Sequence, residues 1–186
     1  VSACRAMGFA LAGVCATQPS EFAAQLHDWL ALGRHASMDW LAQTAQTRLD
    51  VSRFLPGARS IIVVADQYAG RGDASGVAPA ALPSPAPTGR IARYALGRDY
   101  HRAISRRLHR LADRLRREHP QANFRSFVDS APVLEREHAR RAGLGWIGKH
   151  TLLIHPSLGS YLLLGGIATT LDLTPVDREP RSSPPP

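Results

Sequence analysis

An α+β fold, with a mixed central sheet flanked by helices, is what this 186-residue sequence predicts. Three observations carry the prediction. Ser60-Ile-Ile-Val-Val-Ala-Asp66 is short, continuous and β-branched, as a buried strand should be. Residues 99–118 repeat apolar side chains at helical spacing. Strands and helices then interleave along the chain, while one pair of strands is set to fold back as an antiparallel hairpin.

From the N-terminus, the apolar stretch 9–16 lacks the flanks of a signal peptide. Ser20 followed by Glu21 opens a helix, a hydroxyl cap and then a carboxylate in the first turn. Phe22, Leu26, Trp29 and Leu30 form its apolar stripe, and Gly33 ends it. A short second helix holds Met38, Trp40 and Leu41. Residues 70–88 are Ala, Pro and Gly with little else, which predicts a flexible loop. The long helix buries Ile104, Leu108, Leu111 and Leu115, turns Arg102, Arg106, Arg107, Arg110, Arg114, Arg116 and Arg117 outward, and stops at Pro120. A strand over 124–129 follows, then a helix over 133–142 with Pro132 at its first turn. After the glycine-rich turn 143–148, strands at 151–154 and 161–170 pair across 155–159 as the hairpin. Residues 1–176 make one domain and 177–186 a disordered, Pro-rich tail.

The net charge of +8 favours a polyanionic partner, but it has a second source. Lys149 is the only lysine, so the sequence is also arginine-rich by composition, and the basic helix can be a solvated face or a phosphate-binding one. With two cysteines, Cys4 and Cys15, there is neither a disulfide framework nor a metal-binding pair, and a reduced cytoplasmic setting is expected. No apolar run reaches the ~20 residues that span a bilayer.

Two segments could carry chemistry. Asp129 leaves a strand just ahead of a helix. Such a carboxyl can be partly desolvated and hold a proton near neutrality, or it can simply cap the helix. Gly143-Leu-Gly-Trp-Ile-Gly148 followed by Lys149 lets backbone approach a bulky ligand beside a cation. It is neither a P-loop nor a dinucleotide fingerprint. The Glu135-Arg136-Glu137 run reads as surface pairing, and His101 and His155 as ordinary surface residues. The eight histidines offer no zinc-spaced pair with a third ligand, so no metal site is expected.

Four blocks then carry a resemblance. Gly89-Arg-Ile-Ala-Arg-Tyr-Ala-Leu-Gly-Arg-Asp-Tyr-His101, Phe127-Val-Asp-Ser-Ala-Pro-Val-Leu-Glu-Arg136, Ala142-Gly-Leu-Gly-Trp-Ile-Gly-Lys149 and Gly159-Ser-Tyr161 resemble the epoxyqueuosine reductase family in order and spacing. The likeness runs from near Met7 to about Pro180. It implies a nitroreductase-like cobalamin-binding core and reduction of epoxyqueuosine to queuosine at the wobble position of tRNA. By that resemblance Asp129 is the catalytic proton donor. Cobalamin contacts fall on Arg48, Ala92, Asp129, Leu153 and Leu164, and Arg98, Arg102 and Arg106 become candidate tRNA phosphate contacts.

The sequence departs from the family at His150, where Asn is usual, and at Ser130-Ala131, where Thr-Gly is usual. The family also carries two [4Fe–4S] clusters on a following region. Its first Cys-Gly-x-Cys-x-x-Cys run is expected shortly after Pro180, where this sequence reads Arg181-Ser-Ser-Pro-Pro-Pro186. Cys4 and Cys15 alone hold no cluster. A truncated form is the first expectation, and an external electron donor or lost turnover are the others. A non-catalytic cobalamin- or tRNA-binding remnant, or a plain basic RNA-binding domain, is the alternative function.

Overall fold

The computed structural model describes residues 1–69 and 91–173. The loop expected at 70–88 and the tail at 177–186 lie outside the described residues. The helices are α1 (Ser2–Ala6), α2 (Ala23–Ala31), α3 (Asp39–Gln43), α4 (Ala45–Leu49), α5 (Tyr100–Glu118) and α6 (Glu135–Arg141), with 3₁₀ turns at Val51–Arg53 and Arg93–Ala95. The strands are β1 (Leu11–Ala16), β2 (Ser60–Gln67), β3 (Phe124–Val128), β4 (Trp146–Ile147), β5 (Leu153–Ile154) and β6 (Leu162–Thr169).

The α+β class holds, with helices on both faces of a four-stranded sheet ordered β1-β2-β6-β3. The sheet itself differs from the mixed one expected: each neighbouring pair is antiparallel. The connection β2–α5–β3 does run two strands in parallel, as interleaving suggested. It leaves a gap of one strand between them, however, and β6 fills that gap antiparallel to both, a split βαβ arrangement.

This placement also undoes the expected hairpin of 151–154 with 161–170. Both edges of β6 are taken by β2 and β3, so β5 pairs with β4 in a separate two-stranded sheet. Only a bridge between His155 and Gly159 remains of the turn. β1 was not foreseen, because Leu-Ala-Gly-Val-Cys-Ala has little β-branched character. Gly13 is needed there because a Cβ would overlap the Ala142 carbonyl where α6 ends.

Alternation along the strands divides the core in two. Ile62, Val64 and Ile167 face α5, where Ile104, Leu108 and Leu111 are buried as the stripe predicted and Leu115 packs at the margin. Ile61, Val63, Phe127 and Ala168 face the other side with Val133, Ala139 and Leu153. At Gly166 a Cβ would stand 2.5 Å from the Ile62 carbonyl, so bare backbone is what lets β6 lie between its neighbours. In contrast, α2 has no fully buried residue, and its expected stripe is only half covered.

Candidate functional site

The ends of β2 and β3 and the start of β6 share one edge of the sheet. Tyr68 follows β2, Asp129 follows β3 and Tyr161 precedes β6, and the Tyr68 amide donates to the Tyr161 carbonyl at 3.1 Å. Tyr94, in the 3₁₀ turn that follows Ala92, packs edge-on against both Tyr68 and Tyr100. All four tyrosines of the chain therefore form one continuous aromatic file, with the Arg93 guanidinium over Tyr161 at one end and Asp129 beside Tyr100 at the other.

Asp129 does not cap α6, whose first turn has no side-chain cap. Instead it turns toward the start of α5. The Tyr100 hydroxyl donates to its Oδ2, and His101 Nε2 lies 2.8 Å from its Oδ1. The other ring nitrogen of His101 lies 2.8 Å from Asp99 Oδ1, and Tyr100 stacks on the imidazole with ring centres 4.1 Å apart. Asp99 also caps α5 by accepting from the His101 amide at 3.0 Å. The Tyr100 hydroxyl is pushed well above the usual tyrosine range, first by burial and then by its bond to Asp129, so it stays a donor. Hydrogen bonds from His101, foremost its side chain, hold Asp99 below the usual carboxylate range.

The Asp129 side chain is 48 % exposed, and two neighbours, Tyr100 and His101, fix it. The enclosed carboxyl is Glu135. Its Oε1 is buried without a partner, and burial, aided by the charge of Asp129, raises its pKa to about 7. The Glu135-Arg136-Glu137 run is accordingly not surface pairing. Glu137 is 2 % exposed and accepts from Ser20 Oγ at 2.6 Å and from the Glu21 amide at 3.1 Å. His101 likewise is no ordinary surface residue but a partner of Asp129.

Of the other expected contacts, Arg48 is drawn toward the same group. Its charge interacts with Glu135, burial lowers its pKa, and its guanidinium lies over Trp40 at 5.2 Å. Ala92 immediately precedes the 3₁₀ turn that carries Tyr94. Leu164 lines the core from β6, and Leu153, 2 % exposed, is packed inside it. The glycine-rich turn is shaped by packing rather than by open space: a Cβ on Gly145 would strike the Ile154 carbonyl, and one on Gly148 would come within 2.6 Å of the Ile154 side chain. Arg98, just before the α5 cap, and Arg102 and Arg106, one turn apart on α5, are exposed near Asp99. Among the described residues, no helix is long and apolar enough to cross a membrane.

The arrangement matches known proteins along most of its length. A family model described as "Epoxyqueuosine reductase QueG, DUF1730" matches residues 48–130, from Arg48 to just past Asp129. The epoxyqueuosine reductase of Pseudomonas aeruginosa is 41 % identical over 93 % of this chain and 46 % of its own length, and that of Xanthomonas campestris is 42 % identical over 93 % and 48 %. Over more than nine-tenths of its length the chain is similar to the epoxyqueuosine reductase family. It spans about half the length of the curated relatives it matches. The solved epoxyqueuosine reductase of Streptococcus thermophilus superposes with a TM-score of 0.76 at 26 % identity, over 96 % of this chain and 46 % of that one. An epoxyqueuosine reductase solved with a tRNA-Tyr epoxyqueuosine-modified stem loop superposes with a TM-score of 0.70 at 26 % identity, over 92 % and 44 %.

Proposed function

We propose that this chain is the catalytic domain of a cobalamin-dependent epoxyqueuosine reductase, acting on the wobble nucleotide of tRNA with electrons from an external donor. The observation that carries the reading is Asp129, held by Tyr100 and His101 at an open sheet edge. Converting the epoxide to an alkene takes up two electrons and two protons and releases the oxygen as water. A carboxyl at that edge can deliver a proton to the oxygen as the carbon–oxygen bond breaks, a contribution of about 10²–10⁴ in rate.

The residues present fit cobalamin, whose rim of amides and broad apolar plate call for both acceptors and flat surfaces. The orphaned Glu135 Oε1, with Arg48 and Asp129 in electrostatic reach, offers an acceptor for an amide. Tyr94 and Tyr161 supply exposed aromatic area, while Leu153 and Leu164 are left to apolar and backbone contact. Bound there in a reduced state, cobalamin would supply the low-potential electrons for carbon–oxygen cleavage. Cys4 and Cys15 are both buried, and burial pushes the Cys15 thiol up to about 12, away from nucleophilic chemistry.

On the RNA side, Arg98, Arg102 and Arg106 would fix the anticodon arm by its phosphates, and the modified base would be splayed toward Asp129. Titration with cob(II)alamin tests the reading: an absorbance change to the base-off form supports it, and an unchanged spectrum at micromolar protein would sink it. With cobalamin bound and a strong chemical reductant present, formation of queuosine in epoxyqueuosine-containing tRNA identifies an enzyme. Binding without turnover would leave the non-catalytic alternative.

A further inference from the structure

Each turnover of the proposed reaction takes up two protons, whereas Asp129 can hold one at a time, so it must be reloaded before the oxygen leaves as water. The inference below rests on that reading. Both ring nitrogens of His101 face carboxylate oxygens, Nε2 toward Asp129 and Nδ1 toward Asp99, each at 2.8 Å. A neutral imidazole has one N–H and one lone pair, so it satisfies only one of two ionised carboxylates. The row is fully hydrogen-bonded only when it carries one more proton than a neutral imidazole between two carboxylates. Asp99 is 49 % exposed and meets solvent, while Asp129 meets the edge where substrate would lie. The other groups facing the row are the Tyr100 hydroxyl on Asp129, the Arg102 guanidinium 3.5 Å from Asp99, and Glu135, which reaches Asp129 through its charge.

We infer that Asp99 and His101 form a proton relay that reloads Asp129 during turnover. The ring starts with a proton on each nitrogen, its charge balanced by Asp99 at Nδ1. The proton on Nε2 passes to Oδ1 of Asp129, the ring keeps its proton on Nδ1, and once Asp129 has given its proton to the substrate oxygen, a proton from solvent returns to Nε2. One proton enters from solvent and one reaches Asp129, with no change in electron count. Tyr100 does not carry protons in this scheme. Its raised hydroxyl donates to the second oxygen of Asp129 and leaves Oδ1 to the ring. Asp129 is the catalytic residue here, and Asp99 and His101 act through it.

Asp99→Asn separates the relay from the helix cap, because Asn caps a helix as well as Asp does but carries no charge to balance a doubly protonated ring. The first readout needs neither cofactor nor turnover. In the ¹⁵N-histidine-labelled chain, His101 should give two downfield, hydrogen-bonded ring N–H signals, with Asp99→Asn removing or shifting the Nδ1 signal and Asp129→Asn the Nε2 signal. A single ring N–H unmoved by Asp99→Asn would overturn the relay. The second readout is turnover of epoxyqueuosine-containing tRNA by the cobalamin-loaded chain with chemical reductant. Asp99→Asn and His101→Ala should each lower kcat about 10²-fold with KM unchanged, and added imidazole should restore the His101→Ala variant. Wild-type turnover with an unaffected Asp99→Asn variant refutes the relay alone, whereas a wild-type chain that binds no cobalamin and makes no queuosine refutes the underlying reading as well.

Discussion

Two ionisable clusters in this molecule differ in how far water reaches them. Asp99, His101 and Asp129 are each close to half exposed and face one another at 2.8 Å. On α6, Glu137 and His138 are 2 % and 3 % exposed; Glu137 is clamped to Arg141 at 2.5 Å, and His138 has no partner on either ring nitrogen. In the buried cluster, desolvation drags His138 down to about 4. At the wet edge the Tyr100 hydroxyl is displaced as well, upward, by burial and by its bond to Asp129. Shifted acidity therefore marks scaffold and site alike, and hydrogen-bond geometry at the sheet edge is what tells them apart.

If that contrast is right, substitutions at Asp129 and its partners should cost activity without stability, and substitutions at Glu137 and His138 the reverse. The largest effect is expected at Asp129→Asn. Queuosine formation should fall by about 10²–10⁴ while cobalamin remains bound and thermal unfolding stays near wild type, because the side chain is half exposed. A large drop in melting temperature would place Asp129 with the scaffold instead.

Next comes Glu137→Ala. The carboxylate ties α6 to the segment before α2 through Ser20 and the Glu21 amide, and Arg141 continues the clamp with bonds to the Gln18 and Pro19 carbonyls at 3.0 and 2.9 Å. Removing one partner of a buried ion pair strands the other, a loss of about 3–5 kcal/mol. For a chain of this size that lowers the melting temperature by roughly 6–20 °C. An unchanged melting curve would show that the clamp is dispensable.

These two residues also show what was legible in the sequence. The apolar stripe of α5 and the strand at β2 were readable because both depend on local periodicity. Asp129 could be singled out because it stands in a family block. The roles of Tyr100 and His101 could not be read locally: they sit in a quoted block, yet their partner is 29 positions away from Tyr100 and meets it only because β3 ends beside the start of α5. Glu137 looked solvated for the same reason, since Ser20, the residue that covers it, lies 117 positions away. The mixed sheet and the hairpin failed together, because nothing in β6 itself announces that it will be claimed on both edges. A run of Asp-Tyr-His at a helix start, facing a strand-end Asp, was the one signal that could have revealed the His101 contact.

The buried histidine gives the next effect, with a sign that follows from its surroundings. His138 is neutral in the folded chain down to about 4, whereas in the unfolded chain it takes a proton near 6.5. Below 6.5 the unfolded state binds more protons, so stability falls as pH drops from about 6.5 toward 4, by up to about 3 kcal/mol. Glu135 acts oppositely. Its folded carboxyl keeps a proton up to about 7 while the unfolded one loses it near 4.5, so its contribution is complete below 4.5 and is lost as pH rises through 7. Urea midpoints across pH 4–8 should separate them: His138→Phe flattens the acid limb, and Glu135→Gln flattens the upper one. Identical profiles for wild type and His138→Phe would remove His138 from the account.

The smallest effect distinguishes arginines on and just before a single helix. Arg107 is committed to the fold, paired with Asp66 and lying 4.1 Å over the Phe9 ring, while Arg114 and Arg116 pair with Glu118 and Asp113. Arg98 and Arg106 face solvent at the Asp129 end, and Arg102 holds Asp99 only at 3.5 Å. Phosphate contacts release counterions, at about 0.7 per contact on single-stranded nucleic acid. Replacing Arg98, Arg102 and Arg106 by Gln should therefore reduce the salt dependence of anticodon stem-loop binding by about 2 logarithmic units per decade of salt. Replacing Arg114 and Arg116 should leave that slope unchanged, because their charges are already neutralised within the helix. Fluorescence anisotropy over a sodium chloride series measures both. Equal slopes in the two variants would mean that the basic face answers only to water, and that RNA is positioned by the tyrosine file and the sheet edge rather than by α5.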